Sequence, residues 1–227
     1  MKPMGEEHLG IFRRHMVEIV DLHFDLASDE IGKTAPDPAL RQALLKVPRH
    51  LFVPAQLALA AYQDTPLPIG FDKTVSQPFI AALMLDLLDL QAGERLLEVG
   101  TGLGYQAAVA SALGAMVWSV EIVEEFAAEA EARIAAFAAG PGDVHIRTGD
   151  GTRGWPDRAP FDKILVTAAA PAPPQALVDQ LRPGGRLVMP LGGKEVQQLA
   201  VVDKRLDESL DTREVMPVRF TQLETVV

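Results

Sequence analysis

Arg95-Leu-Leu-Glu-Val-Gly-Thr-Gly-Leu-Gly-Tyr105 is the stretch that decides the fold. Leu96, Leu97 and Val99 form a short apolar run, the pattern of a strand buried on both faces. Gly100, Gly102 and Gly104 follow on alternate positions. Tyr105 to Leu113, rich in alanine, then reads as a helix. Strand, glycine loop and helix open a nucleotide-binding βα unit. Glycine lets the chain turn tightly and lets a ligand approach bare backbone. The helix start adds unpaired N–H groups and a partial positive charge.

The spacing narrows the ligand. A dinucleotide fingerprint is Gly-x-Gly-x-x-Gly, whereas here the third glycine comes one place early and Glu98 stands two residues before the first. Glu-x-Gly-x-Gly-x-Gly resembles motif I of the class I S-adenosylmethionine methyltransferases. A purely structural turn is the alternative. Ala115 to Val120 reads as a second strand ending in Glu121. That acid lies about 20 residues past the loop, where such folds place a carboxylate on ribose hydroxyls; a solvated acid at a helix start is the competing reading. Asp150, in the turn Gly149-Asp150-Gly151, follows the strand expected over Val144 to Thr148. It is either an acceptor for an adenine amino group or an ordinary Asp-Gly turn residue.

Composition bounds the rest. The chain has 227 residues, of which 48% are hydrophobic and 23% charged, with a net charge of −10. That is ordinary globular composition, long enough for one core and one domain. The acidic balance argues against a nucleic-acid footprint. The absence of cysteine excludes disulfides, thiolate catalysis and Cys-based metal sites. No apolar run is long enough for a membrane span and no signal pattern stands at the N-terminus, so the expectation is a soluble, cytoplasmic monomer. His8, His15 and His23 read as solvated residues of a loose helix over 1–27, and no metal is expected.

Along the chain, 28–38 reads as a loop and Ala39 to Lys46 as a short helix. Val47-Pro-Arg-His-Leu-Phe-Val-Pro54 reads as an apolar turn framed by prolines. An extended stretch, Ala61 to Gly70, precedes Thr74-Val-Ser-Gln-Pro78 and a helix to Leu90. Ser76 is placed to cap that helix, with Pro78 in its first turn. Further helices are expected over Glu124 to Ala139, closed by Gly140-Pro141, and over Gln175 to Leu181. Further strands are expected over Phe161 to Thr167, Arg186 to Leu191, Gln197 to Val202 and, as a final strand or ordered tail, Met216 to Leu223. The whole is an α/β, Rossmann-like methyltransferase domain over 1–227. Its mostly parallel sheet and flanking helices occupy 76–227, with a helical and extended cap over 1–75.

Five blocks then carry a closer resemblance: Val-Pro-Arg-His-Leu-Phe-Val-Pro (47–54), Leu-Pro-Ile-Gly with Thr-Val-Ser-Gln-Pro (67–78), Leu-Glu-Val-Gly-Thr-Gly-Leu-Gly-Tyr-Gln-Ala-Ala (97–108), Gly-Asp-Gly with Val-Thr-Ala-Ala-Ala-Pro (149–171) and Pro-Val-Arg-Phe (217–220). The run from about 47 to 223 resembles the protein-L-isoaspartate (D-aspartate) O-methyltransferase family. The resemblance implies a protein-repair enzyme with S-adenosylmethionine as donor, S-adenosylhomocysteine as product and isoaspartyl proteins and peptides as partners. It makes Ser76 the active-site serine. Thr74, Ser76, Val218, Arg219 and Phe220 would line the peptide site. Glu98, Gly100, Thr101, Gly102, Gly104, Tyr105, Gln106, Glu121, Asp150 and Gly151 would hold the donor. A small-molecule methyltransferase and a non-catalytic donor-binding relative are the rival readings.

Overall fold

Strands that are apolar throughout need cover on both faces, and the chain supplies it with helices before and between its strands. The computed structural model describes residues 5–137 and 142–225. Before the glycine motif come helix α1 (Glu6–Leu26), a single turn α2 (Ser28–Ile31), α3 (Pro38–Lys46) and three short 3-10 turns between Arg49 and Tyr62. A small antiparallel hairpin follows, β1 (Leu67–Gly70) and β2 (Lys73–Val75), then α4 (Pro78–Leu88).

The α/β portion alternates β3 (Arg95–Val99), α5 (Tyr105–Ala112), β4 (Met116–Glu121), α6 (Glu124–Phe137), β5 (Val144–Thr148), β6 (Phe161–Val166) and α7 (Gln175–Gln180). It ends in β7 (Leu181–Gly192), β8 (Gln197–Lys204) and β9 (Leu210–Val218). The seven-stranded sheet has the order β5-β4-β3-β6-β7-β8-β9. Strands β3 to β7 run parallel, while β8 and β9 are antiparallel to their neighbours. The order reverses between β3 and β6, and the carboxyl ends of strands at such a point form the usual ligand crevice. This is the α/β architecture that the sequence implied.

Helix α4 is apolar on every face but for Asp86, which Lys33 meets at 2.7 Å: Phe79, Leu83, Met84, Leu85 and Leu88 are all buried. A helix without a polar face must be covered on every side. It lies between the sheet and the N-terminal helices, in one cluster with Met16, Val20 and Phe24 of α1, Leu44 of α3 and Val188 of β7. The segment before the motif therefore completes the core.

The structure corrects several boundaries. Helix α4 stops at Leu88, with Asp89 left-handed at its end (φ 51°). The glycine and proline expected to close α6 lie outside the described residues. The last strand begins at Leu210, well before the alternating stretch at Met216, and ends at Val218. No described helix is long and apolar enough to cross a membrane.

Candidate active site

The glycine loop is held open by backbone that only glycine adopts without strain. Gly100, Gly102 and Gly104 have φ of 93°, 54° and 92°. A Cβ on Gly100 would lie 2.3 Å from Thr167 Oγ1. The Thr167 hydroxyl donates to the Gly100 carbonyl at 2.8 Å, tying the loop to the end of β6. Gly104 starts α5 and packs against α6, where a Cβ would meet Ile134 Cδ1 at 3.0 Å. Gly104 thus serves the turn and the helix contact, and borders neither cavity described below.

Two acids flank the loop and play different parts. Glu98 is 1% exposed. It faces Ser119 across the β3–β4 register, and the Ser119 hydroxyl donates to its Oε2 at 2.5 Å. Thr101 Oγ1 lies 2.6 Å from the same Ser119 oxygen. Glu98 therefore supports the loop from inside and borders neither cavity described below. Burial pushes its carboxyl up to about 8.

An unfolded carboxyl near 4.5 ionises while the folded one still holds its proton. Raising the pH from 4.5 towards 8 therefore lowers stability, by up to about 1.4 kcal/mol per pH unit. Glu98→Gln should remove this term and stabilise the protein progressively as pH rises through neutrality. Denaturant midpoints at pH 6 and pH 8 check it, and an unchanged pH dependence would contradict it.

Glu121, at the end of β4, is 5% exposed. Its Oε2 accepts from the Gly102 amide at 2.7 Å and its Oε1 from the Val123 amide at 3.0 Å. Burial raises its pKa, opposed by those amides and by the nearby Lys73. A carboxylate has about four acceptor positions, so lone pairs remain for a diol. Glu121 and Gly151 border a cavity of about 80 Å³ walled by Val99, Val120, Ile122 and Phe126. Bare backbone at Gly100 and Gly102, a carboxylate acceptor and an apolar slot make a donor set that fits a nucleoside. Asp150 has the contacts of a turn residue: its Oδ1 accepts from both the amide and the hydroxyl of Thr152, at 2.9 and 2.6 Å. It caps its own turn and borders neither cavity.

Across the loop lies a larger cavity of about 960 Å³. Gly100, Thr101, Gly102, Tyr105 and Gln106 border it on one side, Thr74 and Ser76 on another, and Val218, Arg219 and Phe220 on a third. Three segments far apart in sequence, each singled out beforehand, meet here. The Tyr105 hydroxyl is buried and has no hydrogen-bond partner among the described residues.

Ser76 does not cap α4. The N-cap is Gln77, without a side-chain bond, and the first free helical amide, Phe79 N, donates to Asp64 Oδ1 at 2.9 Å. The capping role expected of Ser76 is taken by a residue 12 positions earlier in the chain.

Sequence reasoning also missed residues that hold this cavity in shape. Arg49 is fully buried, and its guanidinium donates to the carbonyls of Ala61 (2.9 Å) and Ser76 (2.5 Å). A charged residue inside an apolar, proline-framed octapeptide was the available signal. Gln197, 4% exposed, accepts from the Phe220 amide at 2.6 Å and donates to its carbonyl at 3.0 Å. It continues the strand pairing past the end of β9, and nothing local marks it. His23 is only partly exposed and borders the large cavity, with Nδ1 2.8 Å from Asp64 Oδ2. Among the described residues no group of three or more His, Asp or Glu side chains is placed to hold a metal ion.

The chain matches the family described as protein-L-isoaspartate(D-aspartate) O-methyltransferase over residues 26–226. It is 46% identical over 221 residues to protein-L-isoaspartate O-methyltransferase 1 of Polaromonas sp., covering 97% of this chain and 93% of that one. It is 50% identical over 188 residues to the protein-L-isoaspartate O-methyltransferase of Anaeromyxobacter dehalogenans, covering 82% and 90%. A solved protein-L-isoaspartate O-methyltransferase superposes with a TM-score of 0.78 at 28% identity; the match covers 92% of this chain and 65% of that longer one. A Plasmodium falciparum structure with bound S-adenosyl-L-homocysteine shares the fold, with a TM-score of 0.69 at 24% identity over 83% and 91% of the two chains.

Proposed function

The chain belongs to the protein-L-isoaspartate (D-aspartate) O-methyltransferase family, and we propose that it methylates the free carboxylate of L-isoaspartyl residues in damaged polypeptides, with S-adenosylmethionine as donor. One observation carries the reading: the glycine loop and the Thr74–Ser76 segment open onto one cavity. Gly100, Thr101, Gly102, Glu121 and Gly151 would hold the donor. Bound there, S-adenosylmethionine supplies an electrophilic methyl group on a sulfonium leaving group.

The remaining work falls to the protein. The acceptor carboxylate has a pKa near 4 and is already anionic at neutral pH, so no general base is required. Ser76 donates its O–H to one carboxylate oxygen and leaves the other aimed at the methyl group. Tyr105, Ile69 and Phe79 help keep water from the reacting atoms. Val218 to Phe220, fixed by Gln197, offer backbone to an extended peptide. A net charge of −10 is unsuited to a nucleic-acid partner.

Incubation with methyl-labelled S-adenosylmethionine and an isoaspartyl peptide tests the reaction. The label should enter the peptide and leave as methanol in mild base, because it sits in an ester. Label that resists base, or that enters only free small acids, would point instead to a small-molecule methyltransferase. The donor assignment has its own check. Glu121→Ala removes acceptors to a charged group worth about 1.5–3 kcal/mol each and also releases Gly102 from the loop. Calorimetry should show the donor weakened roughly 10- to 100-fold, and an unchanged affinity in a folded variant would remove Glu121 from the site.

A further inference from the structure

Ser76 stands in a turn that neither the sheet nor its own helix fixes. It immediately precedes Gln77, the N-cap residue of α4, whose own side chain makes no capping bond. Two residues from the N-terminal segment grip the turn at different points, Arg49 at the Ser76 carbonyl and Asp64 at Gln77 and Phe79. Arg49 Nη2 donates to the Ser76 carbonyl at 2.5 Å, while its Nε donates to the Ala61 carbonyl at 2.9 Å. The guanidinium lies over the Tyr105 ring, 4.8 Å from the centroid. Both Asp64 oxygens are engaged: Oδ1 by the Phe79 amide at 2.9 Å and Oδ2 by the Gln77 side-chain amide at 2.6 Å. His23 of α1 flanks the same carboxylate and sets its ring edge-to-face on Phe79.

These contacts are costly to place. Arg49 is 0% exposed and hydrogen-bonds carbonyl oxygens, with the Asp64 carboxylate near enough to favour its charge; burying a guanidinium without a directly bonded carboxylate is costly, an arrangement a core built only for stability would avoid. A fork that bonds two carbonyls at once fixes direction as well as distance. Residues 76, 77 and 79 are thereby tied to residues 49, 61 and 64.

We propose that Arg49 and Asp64 are positioning residues for Ser76, forming a clamp that sets where its hydroxyl meets the substrate carboxylate. The proposal rests on the reading of Ser76 given above. Neither residue touches the reacting atoms; both act through the turn. A displacement near 1 Å at the reacting centre costs about a hundredfold in rate, so the clamp need yield only slightly to be felt.

The test is a double-mutant cycle at saturating donor and peptide. Asp64→Ala should lower kcat between about tenfold and a hundredfold, with donor affinity within about twofold of wild type. In a Ser76→Ala background the same change should cost less than about twofold, because the hydroxyl it positions is gone. Asp64→Asn keeps one acceptor and should fall between wild type and alanine; where alanine unfolds the chain, asparagine carries the cycle. Arg49→Lys, which cannot bond both carbonyls in the same fork, should show the same non-additivity. Multiplicative losses in the two backgrounds would overturn the proposal, leaving Arg49 and Asp64 as contributors to folding alone. Hydrogen exchange at the Phe79 amide reads the clamp without turnover. It should speed at least tenfold in Asp64→Ala, and an unchanged rate would also overturn the proposal. A wild-type protein inactive on isoaspartyl peptides, but with this amide released by the substitution, would refute the function and leave the clamp intact.

Discussion

Ser76→Asp should lower kcat/KM on an isoaspartyl peptide by about a thousandfold or more, well beyond the loss from Ser76→Ala. Removing one hydrogen bond to a charged acceptor costs about 1.5–3 kcal/mol, so alanine should cost roughly 10- to 150-fold. Aspartate loses that bond and also sets a second anion against the substrate. Two like charges 4 Å apart, at the effective dielectric of a protein surface, repel by about 4 kcal/mol, close to a further thousandfold if fully expressed. The fold should tolerate the change, because Ser76 is half-buried at a cavity edge and its hydroxyl caps no helix. Steady-state rates beside a thermal melt check this. A Ser76→Asp protein that is folded and as active as the alanine variant would remove Ser76 from contact with the carboxylate.

The central parallel strands were legible because β3, β4 and β6 each carry a buried apolar run, the composition of strands covered on both faces. Strand β9 was not. Leu210 to Glu214 are exposed at the sheet edge, and edge strands carry polar and charged residues that discourage further pairing. Hydrophobic patterning therefore pointed only to the last residues, where Val215 is buried.

The site divides in the same way. Gly100, Gly102 and Glu121 announce themselves because the backbone dihedrals and the loop-to-acid spacing are local properties. Glu98 and Asp150 stand in the neighbourhood expected of them, bonded to Ser119 and Thr152 respectively. Whether a carboxylate faces a ligand or turns to Ser119 or Thr152 depends on side-chain direction, which a motif does not encode. Arg49, Asp64 and Gln197 act on partners 12 to 27 residues away, a distance over which sequence alone gives no pairing. Ser76 shows the limit most clearly. Read locally, it looked like a cap; the cap came from Asp64, in a segment with no helical signal.

On the proposed function, geometry and not acidity selects the substrate. An isoaspartyl link carries the main chain through the β-carbon and leaves the α-carboxylate free. A normal aspartyl residue offers a carboxylate of similar pKa, so both are anionic at neutral pH and equally available as nucleophiles. They differ in where that carboxylate emerges from an extended backbone, by about one bond length. Backbone partners along Val218 to Phe220 and beside Thr74 would hold the peptide while the Ser76 hydroxyl donates to a carboxylate at one place only. A misplacement near 1 Å costs about a hundredfold. The most direct measurement is kcat/KM for methyl transfer to paired peptides of identical sequence, one isoaspartyl and one aspartyl. The isoaspartyl member should be methylated across varied flanking sequences, with its partner at least about a hundredfold poorer; equal rates on the two would contradict the account.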